Sequence, residues 1–174
     1  MKNTKRNVLL LIGVAALVVA LDQLTKWLVR ENLALGEEFY PINALAPFFR
    51  FTYWKNTGAA FGIFQNASIP LLILAIIIVG VIIYYYFHLE EEILVFRICL
   101  AMMLGGAIGN IIDRITFGYV TDFIAVGRFP VFNVADSSVT VGVFLMLIVL
   151  FLEEKKAKKR GANNTEPENG SKDG

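Results

Sequence analysis

The chain carries one cysteine, Cys99, and one histidine, His88. A single cysteine excludes an internal disulfide framework and any Cys-rich metal site. A single histidine leaves no His-Glu-x-x-His zinc run and removes most Ser-His or Cys-His chemistry. Charge is also scarce: 18% of 174 residues, with sixteen basic against fifteen acidic side chains for a net charge of +1. A balance so near zero gives no general reason to bind nucleic acid. What the chain has in excess is apolar surface, 56% of residues with a mean hydropathy of +0.61. Soluble domains average about 45–50% apolar and about 25% charged. The sequence therefore reads as an integral membrane protein too short for more than one domain, with acid, amide and hydroxyl groups left to do chemistry and no cofactor or metal implied.

Four apolar segments stand out. Residues 69–87 run for nineteen positions without a charge, with Pro70 in the first turn, where a helix tolerates it. Residues 93–112 give twenty positions interrupted only by Arg97 and Asn110. Both match the ~20 residues that cross a ~30 Å hydrocarbon core. Residues 8–21 and 139–152 give only fourteen each. The first of these follows Lys2, Lys5 and Arg6, so a signal-peptide core is an alternative reading. Against it, the helical pattern continues through Leu24, Trp27, Leu28 and Val29. The spans are thus placed at about 8–29, 69–87, 93–112 and 135–152. The expected fold is an all-α membrane protein, a four-transmembrane-helix bundle with a small extracytoplasmic β/loop subdomain. Residues 1–152 form the single membrane-embedded domain, and 153–174 a basic, then disordered, cytoplasmic tail.

Basic residues precede the first span, and Lys155, Lys156, Lys158, Lys159 and Arg160 follow the fourth. The positive-inside rule then places both termini in the cytoplasm. The loop between the second and third spans is only residues 88–92, whereas 30–68 and 113–133 form longer outer segments. Within the first outer segment, Phe49-Arg50-Phe51-Thr52-Tyr53-Trp54 is aromatic-rich and partly alternating. It predicts a short strand at headgroup level, covering whatever lies beneath it.

With that topology, Asp22, Asn56, Asn110, Asp113, Arg114, Asp122, Asn133 and Asp136 all fall at the outer end of a span or in an outer segment. Acids at membrane depth are costly and commonly functional. Each also has a plainer reading. Asp22 and Lys26 lie four apart on one helix face and can simply pair. Asp113 beside Arg114 can be no more than a charged helix end. Asn133 or Asp136 can cap the fourth helix. Asp122, set in Tyr119-Val120-Thr121-Asp122-Phe123-Ile124 without an adjacent base, is the hardest to explain structurally. Gly105, Gly106 and Gly109 suit close helix packing, Arg97 suits snorkelling to the cytoplasmic surface, and Cys99 reads as a buried small side chain.

Two carboxylates sharing a site cannot easily both ionise; one becomes a general base for water while the other, protonated, serves the carbonyl oxygen. That mechanism needs no metal, histidine or thiol. A Ser-Lys arrangement of Ser137 or Ser138 with Lys26 is the competing hydrolytic reading. A small four-span transporter or channel with an acidic outer vestibule is the non-enzymatic one, although no internal repeat of the transporter kind is visible. Composition and spacing do not choose two aspartates from the four.

Five motifs occur in order: Leu21-Asp22-Gln23-Leu24-Thr25-Lys26, Asn56-Thr57-Gly58-Ala59-Ala60-Phe61-Gly62, Gly105-Gly106-Ala107-Ile108-Gly109-Asn110-Ile111-Ile112-Asp113-Arg114, Val120-Thr121-Asp122-Phe123-Ile124 and Phe132-Asn133-Val134-Ala135-Asp136-Ser137-Ser138. Together, over residues 8–152, the chain resembles the lipoprotein signal peptidases, the type II signal peptidases of bacteria. The resemblance implies an intramembrane aspartyl endopeptidase of the cytoplasmic (inner) membrane, with its active site near the outer face. Its substrates would be diacylglyceryl-modified prolipoproteins, cut just before the lipidated cysteine. It implies Asp122 and Asp136 as the catalytic pair, and Asp22, Lys26, Asn56, Gly58, Asn110, Arg114 and Asn133 as supporting or substrate-binding residues. It also implies membrane lipids and globomycin-type inhibitors as partners, the inhibitor in the same cleft, with no nucleic acid. Of the pair, Asp136 at a helix N-terminus is then the better placed to ionise, and Asp122 in apolar company the better placed to keep a proton.

Overall fold

The computed structural model describes residues 4–46, 48–58, 67–88 and 94–163. Four helices, α1 (Thr4–Asn32), α2 (Ser68–His88), α3 (Leu94–Phe117) and α4 (Val134–Asn163), are each long and apolar enough to cross a membrane. The continuation of the first apolar run into α1 is as expected, and α1 extends three residues past the predicted end at 29. α4 continues well beyond 152 through the basic cluster to Asn163, with Glu153–Lys156 and Glu154–Lys158 paired along its surface at 2.7 and 2.5 Å. The short connection after His88, motif residues 59–62 and the tail beyond 163 lie outside the described residues.

α3 is the centre of the bundle and packs against each of the other three helices. Its glycines explain how. A Cβ at Gly105 would sit 2.8 Å from the carbonyl oxygen of Ala15 on α1, and one at Gly106 only 2.5 Å from that of Ala135 on α4. Without a hydrophobic drive between helices in lipid, such close backbone approach supplies much of the packing energy. Leu11, Ala15, Ile82, Tyr86, Leu100, Ala101 and Leu104 form the core at one end of the bundle. The outward faces of α2 and α4 remain apolar and exposed, as a lipid-facing surface requires.

Arg97 does not snorkel as predicted. Its side chain is buried, donates to the Tyr86 carbonyl at 3.1 Å and lies over the Tyr86 ring at 5.3 Å. It satisfies a carbonyl in the last turn of α2, which would otherwise lack an intrahelical partner.

At the other end lies a three-stranded antiparallel sheet in the order β1 (Glu38–Phe39), β2 (Phe49–Asn56), β3 (Val120–Val126). The aromatic segment is indeed a strand: β2 is the central one of the sheet, and it pairs Trp54 with Asp122 on β3. In the sequence β3 reads only as an apolar stretch, because four of its first five residues are buried and the alternation that marks a half-exposed strand is missing.

Candidate active site

The start of α4 brings most of the polar residues together. Asn133 precedes the helix, and its Oδ1 accepts the backbone N–H of Asp136 at 2.8 Å, an N-cap. Its Nδ2 donates to Asp122 Oδ1 at 2.7 Å. One residue therefore caps the helix that carries Asp136 and holds Asp122 beside it. A second orphan donor of the same turn, the N–H of Ala135, is taken by Asp22 Oδ1 from α1 at 2.9 Å. This close crossing needs Gly109, where a Cβ would meet Asp22 Oδ2 at 2.5 Å.

Asp122 is 1% exposed. Its other oxygen, Oδ2, accepts from Asn56 Nδ2 at 2.8 Å, while Asn56 Oδ1 accepts the N–H of Gly58 at 3.0 Å. Burial, then the charge of Asp136, push the Asp122 carboxyl up to about 7; the two asparagine amides and Lys26 pull the other way. Asp136 Oδ1 accepts from Asn110 Nδ2 at 2.8 Å. The Asn110 amide is itself oriented by Lys26, whose ammonium donates to its Oδ1 at 3.0 Å.

Asp122 and Asp136 line one cavity of about 650 Å³. Asn56, Gly58, Asn110 and Arg114 supply its other polar walls, and Phe129, Val139 and Val141 are among its apolar ones. Arg114 feels the charges of Asp136, Asp122 and Asp113. Asp22 and Lys26 do not reach the cavity. They pair at 2.8 Å, both fully buried, behind the start of α4. Ser137 also lines the cavity, but its hydroxyl donates to the Asn133 carbonyl and Ser138 to that of Val134, the back-bonding of ordinary helical serines. With Lys26 engaged by Asp22, Asp113 and Asn110, the Ser-Lys reading has no geometry to support it.

Asp113, for which the sequence also allows a plain charged helix end, is a fully buried hub. Its Oδ2 accepts the Thr121 N–H at 2.8 Å and lies 3.3 Å from Lys26 Nζ. Its Oδ1 accepts from Gln23 Nε2 at 3.2 Å and lies 3.8 Å from Arg30. The signal was available: Asp22, Lys26 and Arg30 repeat every four residues, and Asn110 and Asp113 are three apart, so each set shares a helix face. A second cavity of about 440 Å³, lined by Leu28, Val29, Phe39, Phe51 and Phe123 among others, lies on the opposite face of β3. Among the described residues no group of three or more His, Cys, Asp or Glu side chains is placed to hold a metal ion.

A four-span bundle in which Asp122 and Asp136 line one polar-walled cavity, with Asp122 buried and its carboxyl raised, is a candidate for a membrane-embedded enzyme site. Comparison with known proteins makes this specific. The family model described as signal peptidase (SPase) II matches residues 14–152. A lipoprotein signal peptidase of Enterococcus faecalis is 40% identical over 156 residues, covering 87% of this chain and 93% of the relative. One of Moorella thermoacetica is 39% identical over 138 residues, covering 79% and 90%. Two solved structures described as bacterial membrane enzymes superpose with TM-scores of 0.78 and 0.72 at 32% and 36% identity. They cover 93% and 80% of this chain, and 94% and 91% of their own. The chain belongs to the signal peptidase II family. It is a multi-pass membrane peptidase, which sets aside the transporter reading.

Proposed function

We propose that this peptidase is an aspartic endopeptidase that removes the signal peptide from diacylglyceryl-modified prolipoproteins, cutting just before the lipidated cysteine. The observation that carries the mechanism is the shared cavity of Asp122 and Asp136, with Asp122 buried and raised to about 7. Asp136, in the first turn of α4 and accepting from Asn110, takes the ionised role. It removes a proton from water as the oxygen attacks the scissile carbonyl carbon. Asp122 gives its proton to the carbonyl oxygen, forming a neutral gem-diol. Asp136 then passes its proton to the departing nitrogen as the C–N bond breaks, and Asp122 recovers one from a diol hydroxyl as the new carboxyl group forms. Arg114, Asn56 and Gly58 line the channel in which the substrate backbone lies, and a globomycin-type inhibitor would occupy the same volume.

The positive-inside rule supports an orientation with both termini in the cytoplasm and the sheet on the outer side. Residues 1–152 then constitute the peptidase domain and 153–174 a cytoplasmic tail. The lipidated cysteine is anchored in the outer leaflet, each buried CH₂ adding ~0.8 kcal/mol of membrane affinity, so its bond arrives at the depth of the cavity. The test is cleavage of a diacylglyceryl-modified precursor and its unmodified twin by purified protein, with products identified by mass. The lipidated form should be cut before its cysteine and the twin hardly at all, and Asp122→Asn and Asp136→Asn should each abolish turnover. Turnover by either variant would remove that residue from the pair; equal rates on both precursors would remove the lipid requirement.

A further inference from the structure

We infer that Arg30 and Asp113 are positioning residues for Asp122, acting through Thr121, which they grip from two sides. The inference rests on the reading that Asp122 is one of the catalytic pair.

Asn56 and Asn133 fix the direction of the Asp122 carboxyl group, but its place in the cavity is set by the backbone of β3. That backbone pairs with β2 at Val120, Thr121 and Asp122 but is irregular immediately beyond. The β2–β3 ladder runs in register from Phe49↔Val126 to Phe51↔Ile124, then shifts, and resumes at Trp54↔Asp122. Thr52 and Tyr53 thus both stand opposite Phe123, an irregularity that interrupts pairing beside Asp122. On its other edge β3 meets residues 132 and 133: the Phe123 and Ile124 N–H groups donate to the Phe132 carbonyl at 3.0 and 2.8 Å, and Asn133 Nδ2 reaches the Thr121 carbonyl at a long 3.5 Å.

Thr121 supplies an anchor outside the sheet. It is fully buried and, by strand alternation, points away from the cavity that Val120 and Asp122 line. Its N–H donates to Asp113 Oδ2 at 2.8 Å, and its hydroxyl accepts from Arg30 Nη1 at 3.0 Å. Arg30 is braced in turn: its guanidinium lies 4.5 Å from the centre of the Phe117 ring, at the end of α3, and 3.8 Å from Asp113 Oδ1. Gln23 and Lys26 hold Asp113 from α1. The residue before Asp122 is therefore tied to α1 and α3 together, so that the strand carrying one aspartate keeps its distance from the helix carrying the other.

Reaction geometry is sensitive to such placement, since a shift of about 1 Å can cost about a hundredfold in rate. Partial release of one tether should show in kcat, not in substrate affinity. The test compares Arg30→Met, Thr121→Val and the double variant on a lipidated precursor, with kcat, KM and thermal midpoint measured for each. Thr121→Val keeps the N–H bond to Asp113 and removes only the acceptor for Arg30. Each single change should lower kcat about tenfold with KM little altered. The double variant should be no worse than either single, because the two residues act through one bond. Arg30→Lys should recover part of the rate, and Asp113→Asn, which keeps an acceptor for the Thr121 N–H, should fall between parent and Arg30→Met. Arg50→Met, which removes the 2.7 Å pair with Glu38 on the exposed part of the sheet, should leave kcat unchanged. Additive losses, an effect confined to KM, unaltered kcat, or an equal loss in Arg50→Met would overturn the inference while Asp122→Asn stays inactive. An active Asp122→Asn would instead overturn the catalytic reading beneath it.

Discussion

Replacing Asp122 by asparagine should abolish turnover and, at alkaline pH, make the protein more stable. The free carboxyl group has an ordinary value of 3.8 and is pushed up to about 7 in the fold, chiefly by burial. Below pH ~4 it is neutral in both folded and unfolded states and contributes no pH dependence. Between about 4 and 7 the unfolded chain ionises while the native one holds its proton, so stability falls as pH rises; above 7 the loss is complete. At about 1.4 kcal/mol per pH unit the full effect is about 4 kcal/mol. The amide introduced by Asp122→Asn escapes it, but Asn56 and Asn133 both present N–H groups to this position. An amide can accept only one of them, which costs about 1–3 kcal/mol. The net expectation is a gain of about 1–3 kcal/mol at pH 8, reversing to a loss of about 1–3 kcal/mol near pH 4. Thermal unfolding of parent and variant in one detergent at pH 5 and pH 8 reads this directly. A variant less stable than the parent at pH 8, or a difference independent of pH, would refute the argument that Asp122 is held neutral by its surroundings.

Removing the Asn56 amide takes away one donor that pulls the Asp122 carboxyl down, so in Asn56→Ala the alkaline limb of kcat/KM should move to higher pH while the maximum rate falls; an unmoved limb would exclude Asp122 as the proton donor. Gly109→Ala forces a Cβ to within 2.5 Å of Asp22 Oδ2 and should lower both thermal midpoint and activity severely, whereas Gly80→Ala, with nothing within 4 Å of the added Cβ, should do neither. Chelators and thiol reagents should leave turnover intact, since Cys99 is fully buried in α3; inhibition by a chelator that zinc restores would sink a mechanism run by carboxylates alone.

The parts of this structure visible in the sequence are those written in period and composition. Apolar runs mark the helices, although only that of α2 is uncharged over membrane length, and a Gly-rich stretch marks the part of α3 on which α1 and α4 cross. The aromatic alternation of residues 49–54 marks β2. Hidden are features that depend on who lies opposite. β3 is buried too completely to alternate, so nothing local distinguishes it from an apolar loop. Arg97 looks like an anchor because its partner is the backbone carbonyl of Tyr86, which a side-chain pattern does not reveal. Asp113 passes for half of a charged doublet because its neighbour in sequence, Arg114, points to the cavity while Asp113 points to α1.

The same contrast explains why four aspartates are legible in the sequence and the division among them is not. All four are buried or line the cavity at one end of the bundle, but they meet different partners. Asp22 and Asp113 face an ammonium, a guanidinium, an amide and two backbone N–H groups, which compensate their charge within the protein. Asp122 and Asp136 accept from asparagine amides and line one cavity, with Arg114 on the same wall. Buried acids bonded directly to cations have nothing left to offer a substrate, whereas a pair hydrogen-bonded by neutral amides on the wall of a cavity is open to one, which is why the proposed mechanism rests on Asp122 and Asp136. Lys26 belongs to the first set and reaches the second only through Asn110. The cation thus orients the amide beside Asp136 without itself lining the cavity.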